Sequence, residues 1–343
     1  MKKVLDYKHR KKVTVIAALL FFTLFIPTPY LLYQPGTIEN LSSKVTVESG
    51  QKKERGSLNL TTVFTSDASN IYYLAYGLID QDTVIKKKRD VTGNLSNSEY
   101  NLLLKHMMES SKVNAIAAAF NAAGEKVETD YKGIFITNVL ATSKAKGIIH
   151  VGDLIYAVDG HVVHTADEFI NYMKEKQAGD KVDISFSSNG VKKEKKIEVI
   201  RLKTSNNKVG LGIMPEDELA VNVARSVTIN TEDIGGPSAG LMLSLEIYDQ
   251  LKDDDLTKGF KVAGTGTIDI HGNVGQIGGI RQKIVAAHNA GVNIFFCPKD
   301  INNGDMNEKD IKDEANKRGY NIKIVPVRTM SEAIAYLKRL PQK

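Results

Sequence analysis

The chain has 343 residues, enough for about two domains, and its 42% hydrophobic and 25% charged residues exclude a disordered or low-complexity protein. The net charge of +6 does not point to nucleic acid, because residues 1–12 (MKKVLDYKHRKK) supply +5 of it and the rest is close to neutral. The single cysteine, Cys297 in NIFFCPKD, excludes an intramolecular disulfide and reads as a small core residue of an apolar strand.

Directly after the basic cluster, VTVIAALLFFTLFIPTPYLLY (13–33) carries no charge across 21 positions. As a helix rising about 1.5 Å per residue it would reach roughly 31 Å, enough to cross a hydrocarbon core. No small-x-small cleavage site follows, so the segment reads as an uncleaved single transmembrane anchor and not as a signal peptide. Six basic residues before it place residues 1–12 in the cytoplasm and everything beyond residue 34 outside the cell membrane. Residues 34–56, polar and broken by glycine, read as a linker with room for one strand.

A folded body begins at 57. LNLTTVF (58–64) alternates like a strand, and 98–124 is a long helical stretch that Gly124 closes. From Tyr131 to Lys203 the texture turns to short strands (GIFITNV, DLIYAVDGHVV, KVDISFSS) with one helix opened by a Thr165–Glu168 capping box. Beyond 209, strands and helices alternate again: SVTIN, a helix over 237–251, KVAGTGTI, a helix over 280–291, then VNIFFCP and NIKIVPV. A Thr329–Glu332 capping box opens the last helix. The acidic run at 253–255 has no histidine or second carboxylate cluster beside it and reads as a solvated turn, so no metal site is expected. GTGTIDIHGNVGQIGG lacks the spacing of a dinucleotide fingerprint, and its glycines read as strand turns, so no cofactor is expected either.

The stretch GGPSAG (235–240) places only small residues around one hydroxyl, that of Ser238, and contains the pattern G-x-S-x-G. Pro237 suits the first turn of a helix, which leaves Ser238 at a helix N-terminus. The backbone there, from Gly236, Pro237 and Ser238, is expected to bind substrate backbone and to stabilise a developing oxyanion. A reactive serine needs a base. In the helix at 280–291, Ile280, Lys283, Ile284 and Ala287 share one face, while Arg281, Gln282 and Asn289 point elsewhere. A lysine facing inward is desolvated, its pKa falls, and it can then take a serine proton near neutral pH. Without a partner, the same residues read as a helix cap and a lysine that snorkels along the core edge.

Two resemblances join these signals. The segment 131–203, above all VGDLIYAVDG (151–160), resembles a bacterial PDZ domain, which implies capture of an extended peptide by strand addition. The loop and groove strand that normally precede the GIFITNV-type strand are not legible in GEKVETDYK. Gly-Pro-Ser-Ala-Gly at 236–240 and TGTIDIHGNVGQIGGIRQKIVAAHNAGV at 265–292 resemble the proteolytic domain of Lon proteases. That resemblance implies a Ser-Lys dyad of Ser238 and Lys283, with Thr265 orienting the lysine. It departs at Gly235, where many Lon enzymes carry an acid; the nearest here is Asp233. LNLTTVF and the MMESSKVNAIAAAF helix are similar to the upstream part of the same domain.

The fold class expected is therefore α+β: a Lon-type proteolytic domain of α/β texture over 57–125 and 209–343, an inserted or adjacent PDZ domain over 126–204, and one transmembrane helix ahead of both. No G-x-x-x-x-G-K-[ST] occurs, so an ATP-independent serine endopeptidase is expected, acting on extracytoplasmic or membrane-associated proteins. Its partners would be protein or peptide substrates and the membrane, with no nucleic acid, and the resemblance permits a ring of identical copies. Two rivals are an α/β-hydrolase using Asp269 with His271 or His288, and a non-catalytic membrane-tethered PDZ adaptor.

Overall fold

The computed structural model describes residues 7–51, 55–202, 208–231, 234–252 and 255–343. Its principal strands in chain order are β1 (Tyr30–Asn40), β2 (Ser57–Asp67), β3 (Val84–Lys87), β4 (Val127–Val139), β5 (Leu154–Val158) and β6 (Lys181–Ser188). They continue as β7 (Val191–Glu198), β8 (Ile213–Val223), β9 (Lys261–Gly264), β10 (Ile294–Pro298) and β11 (Lys323–Val327). The helices are α1 (Tyr7–Thr23), α2 (Ile71–Ile79), α3 (Asn97–Ala123), α4 (Ala166–Lys174), α5 (Gly240–Leu251), α6 (Ile280–Asn289), α7 (Asn307–Arg318) and α8 (Met330–Lys338).

Period-two alternation divides the first body into layers. In β10, Ile294 and Phe296 enter the core that α3, α5 and α8 build with Leu58 and Leu60 of β2. Phe295 and Cys297 enter the opposite core, with Ile280 and Ile284 of α6 and Ile311 of α7. Between the two lies a six-stranded sheet in the order β11-β10-β9-β2-β1-β3. The strands from β11 to β2 run parallel, and β1 and β3 add antiparallel.

The second sheet, in the order β8-β4-β5-β6-β7, is antiparallel and has its own core, where Phe169 and Met173 of α4 meet Ile134, Ile155, Ile184 and Phe186. Its ends are neighbours, since Val127 of β4 pairs with Val223 of β8. This unit leaves and re-enters the first body at one place, between α3 and α5. Helix α3 also touches it directly: the His106 ring stacks on Phe135 with centroids 3.4 Å apart, and His106 Nδ1 lies 3.5 Å from Glu218 of β8. Burial holds His106 down to about 4, so the ring is neutral near pH 7 and the contact is not an ion pair.

The N-terminal region departs from the sequence expectation. Residues 13–33 do not form one helix: α1 ends at Thr23, Pro27 and Pro29 interrupt, and Leu31–Tyr33 pair with both β2 and β3. Proline ends the helix because it lacks an N–H and pushes its predecessor out of helical geometry. Leu31 and Leu32, apolar enough for a membrane, are instead buried in protein at 6% and 1% exposure. No helix among the described residues is long and apolar enough to cross a membrane. What remains apolar, from Val13 to Ile26, stands largely exposed. Residues 34–47 are not a tether, because β1 continues to Asn40 and Val45–Val47 pairs with Val227–Ile229. Residues 1–6, with Lys2 and Lys3, lie outside the described residues, as do Asp253 and Asp254 of the acidic run.

Phe120 of α3, with no exposed surface, anchors the larger core, and its truncation to alanine should cost about 3–5 kcal/mol. The denaturant midpoint reads that loss. Ile301→Ala, at a site 60% exposed, should stay within about 0.5 kcal/mol of the parent.

Candidate active site

The small residues of GGPSAG press one turn between two neighbours. Gly236 sits at φ 86°, ψ 162°, a conformation open to glycine, and a single 3-10 turn over Pro237–Ala239 then leads into α5. At Gly240 a Cβ would come within 2.7 Å of Ile268 Cγ2 and 2.9 Å of Ser111 Oγ. Helix α3 holds the turn from one side, accepting the Gly236 N–H at the Leu104 carbonyl (2.9 Å) and donating Ser111 Oγ to the Pro237 carbonyl (3.0 Å). From the other side, Thr265 Oγ1 and the Gly266 N–H both donate to the Ser238 carbonyl at 3.0 Å.

Lys283 comes from the opposite layer. Helix α6 starts at Gly279, which adopts φ 71°, and packs on β1, β2 and α7. Lys283 is only 3% exposed, and Gln282, expected on the outer face, is buried too because α6 is covered on two sides. The lysine Nζ donates to the Thr61 carbonyl of β2 at 2.7 Å and lies 3.0 Å from Ser238 Oγ. Burial pushes its ammonium down from 10.5 to about 7. A large fraction is then a neutral amine at neutral pH, in hydrogen-bond reach of a hydroxyl whose proton it can take. Ser238 and Lys283 open on a cleft of about 1120 Å³, whose walls include Pro35–Thr37 of β1, Thr61–Thr65 of β2, and Tyr100 and Leu104 of α3.

The contacts around the expected site residues differ in part from the expectation. Thr265, expected to orient the lysine, donates its hydroxyl to the Ser238 carbonyl, because that hydroxyl sits where β9 meets the serine turn. Thr61 holds the lysine instead, through a backbone carbonyl that no side-chain pattern reveals. Of the backbone at Gly236, Pro237 and Ser238, expected to meet the oxyanion and the substrate backbone, Gly236 gives its N–H to Leu104 and Pro237 has none, so the Ser238 N–H is the donor on offer. Asp233 lies outside the described residues. The hydrolase triad is not assembled: Asp269 closes a turn by accepting from the His271 and Asn273 N–H groups, and exposed His288 stacks on Tyr320. Ser111 and Asn114 of α3, neither of them expected at the site, donate to the Pro237 and Ile268 carbonyls and fasten the site to that helix. Their signal was two polar residues on the buried side of an alanine-rich run. Among the described residues no group of three or more His, Cys, Asp or Glu is placed to hold a metal.

In the second sheet, β8 is an edge strand, and α4 lies beside it. The turn Gly210–Leu211–Gly212, with Gly212 at φ 69°, leads straight into it. The strand missing ahead of GIFITNV is therefore supplied from the other end of the unit.

Because the folded state depresses the Lys283 pKa, the unfolded chain binds more protons between pH 7 and 10.5, and stability should rise with pH across that window. The penalty is fully present below pH 7. Lys283→Met should flatten that slope and raise stability at pH 6, as read by denaturant titrations at several pH values.

Comparison with known proteins agrees with both readings at the level of domains. Residues 198–338 match the model of the Lon protease (S16) C-terminal proteolytic domain, and residues 122–199 match a PDZ domain. The Lon protease of Chloroflexus aggregans is 34% identical over 106 residues, 31% of this chain. That of Rhizobium meliloti is 34% identical over 108 residues, also 31% of this chain. The matched stretch spans only 12% of the length of each of these relatives. Among solved structures, the PDZ domain of an SdrC-like protein from Listeria innocua is 31% identical, with a TM-score of 0.24, and covers 24% of this chain and 93% of its own. The corresponding domain from Listeria monocytogenes is 28% identical, with a TM-score of 0.24, covering 25% and 88%. The chain thus carries a serine-protease domain of the Lon type together with a PDZ domain.

Proposed function

We propose that the protein is a membrane-associated, ATP-independent serine endopeptidase in which Ser238 is the nucleophile and Lys283 the general base. One observation carries this reading: a buried lysine amine with a pKa pushed down to about 7 lies 3.0 Å from the Ser238 hydroxyl. Neutral Lys283 takes the Ser238 proton as Oγ attacks the substrate carbonyl. The charge that develops on the carbonyl oxygen meets the Ser238 N–H at the positive end of α5. While protonated, Lys283 stays tied to the Thr61 carbonyl, and it then gives the proton to the departing amine. Neutral Lys283 then takes a proton from a water that attacks the acyl carbonyl and returns it to Ser238 Oγ as the ester C–O bond breaks, which frees the acid product. Thr265 and Ser111 position the serine turn and do not touch the reacting atoms.

The substrates we assign are extracytoplasmic or membrane-associated proteins, selected partly by the PDZ unit. The free edge of β8, beside α4, is the surface on which an extended peptide would add as a further strand. The exposed apolar run Val13–Ile26 supports seating in a membrane, and the basic residues before it favour the cytoplasmic side for the N-terminus.

Ser238→Ala and Lys283→Ala should each abolish peptide hydrolysis, with the double variant no worse than either, because removing one member disables the other. Lys283→Arg should fail as well, since a guanidinium stays protonated. In the parent, kcat/KM should rise with pH through about 7, and added ATP should change nothing. A Lys283→Ala protein that still hydrolyses peptide sinks the dyad.

Joining residue 126 to 224 by a short Gly-Ser linker removes the PDZ unit where Val127 and Val223 adjoin. Hydrolysis of a short unstructured peptide should survive, while cleavage of a folded natural substrate slows. Equal losses would mean that the unit is only structural. Protease added to intact protoplasts should digest the body beyond Tyr30, and protection of that body counts against an extracytoplasmic position.

A further inference from the structure

Helix α2 reads IYYLAYGLI, nine residues without a charge. Gly77 is its buried point of contact, where a Cβ would lie 2.8 Å from Leu32 Cδ2 of β1, so the helix rests flat on the sheet's end. Tyr73, Tyr76, Leu78 and Ile79 stay exposed, the last two at 76% and 82%. A continuous apolar face of this kind on a protein surface marks a contact with something.

Three observations indicate what covers it. Helix α2 is strapped to the end of α1, since the Tyr72 hydroxyl lies 2.6 Å from Thr23 Oγ1 and donates to the Leu20 carbonyl at 3.3 Å. The two exposed apolar helices therefore form one surface. Immediately beyond α2 comes the basic run KKKR (86–89). Lys88 is tied to Asp67, but Lys86, Lys87 and Arg89 are exposed and carry no ion pair among the described residues. Of the acids nearby, Asp82 is engaged by Arg318 and Asp80 by Thr83, leaving Asp90 exposed. Finally, the exposed tyrosines have the amphipathic rings that settle at a membrane–water boundary. An apolar face rimmed by tyrosine and by cations without a carboxylate partner, Lys86 lying 4.8 Å from the Tyr33 ring centroid, complements anionic lipid; a second copy of this chain would bring the same cations against themselves.

We propose that α2 lies in the headgroup layer of an anionic phospholipid bilayer, with Leu78 and Ile79 among the acyl chains and Lys86, Lys87 and Arg89 on the lipid phosphates. This rests on the reading that Val13–Ile26 meets the same membrane. It has a consequence for the substrate. A hollow lined by Tyr30, Lys86 and Lys87 adjoins the Ser238 cleft, and Tyr33 and Gly278 line both. The cleft is then held next to the bilayer, and the chains it reaches most readily are membrane-proximal segments of membrane proteins.

The sequence contains no tryptophan, so single substitutions supply unique reporters. Full-length Ile79→Trp, Leu78→Trp, Val15→Trp and, as a distant control, Ile301→Trp are reconstituted in phosphatidylglycerol–phosphatidylcholine vesicles with and without brominated lipid. Bromine should quench the reporters at 78, 79 and 15 and spare the one at 301. Adding Lys86→Glu, Lys87→Glu and Arg89→Glu should reduce quenching at 79 by roughly twofold or more while leaving position 15 unchanged. Quenching at 15 without 78 or 79 overturns the proposal and leaves the membrane reading standing. Quenching at 78 and 79 without 15 sinks the α1 reading and supports the α2 contact. An emission shift at 79 that grows with protein density but resists bromine assigns the face to a second copy and also overturns it. A far-ultraviolet circular dichroism spectrum and a denaturant midpoint matching the parent certify that the body of each variant is folded.

Discussion

An ammonium group taken out of water is so unfavourable that a buried lysine tends to give up its charge, and the layout around Lys283 follows from that constraint. The side chain is covered by α6 itself, by β1 and β2, and by the serine turn, with the Thr61 carbonyl as its one acceptor besides Ser238 among the described residues. A single carbonyl is enough to aim the amine but does not offset the burial that pushes its pKa down to about 7. The reactivity proposed for the serine thus rests on the packing of three layers and not on the two residues alone.

For the lysine to be useful, the serine must be delivered to it within hydrogen-bond reach, and the polar contacts of the turn serve that end. Thr265 and Gly266 hold its carbonyl, Ser111 holds the carbonyl before it, and Leu104 takes the N–H of Gly236. Thr61, which holds the lysine by its carbonyl, also donates its hydroxyl to Gly264, so lysine, serine and the end of β9 are referenced to one point on the sheet. Rigid placement of this kind lowers the reorganisation needed when charge develops.

Helix α3 ties this centre to the rest of the chain. Its Leu104 carbonyl and Ser111 hydroxyl grip the serine turn, while Leu102 and His106 between and beside them meet Gly152 and Phe135 of the PDZ unit. The PDZ unit and the serine turn therefore share one element, the helix whose Leu104 carbonyl holds Gly236.

Much of this was written locally. The caps Ser96 with Glu99, Thr165 with Glu168 and Thr329 with Glu332 open their helices, and Ile294 to Cys297 alternate between two cores, because each pattern depends on neighbours one to four residues away. The inward position of Lys283 and the small residues around Ser238 were legible for the same reason. Tertiary structure decided the rest. Hydropathy records that Leu31 and Leu32 leave water but not whether lipid or protein receives them, and only pairing with β2 and β3 settles that in favour of the sheet. The Thr61 carbonyl, the partner of Thr265 and the loss of the Gly236 N–H to Leu104 were unreadable, since backbone groups are the same at every position and acquire a role only when a distant segment is folded against them.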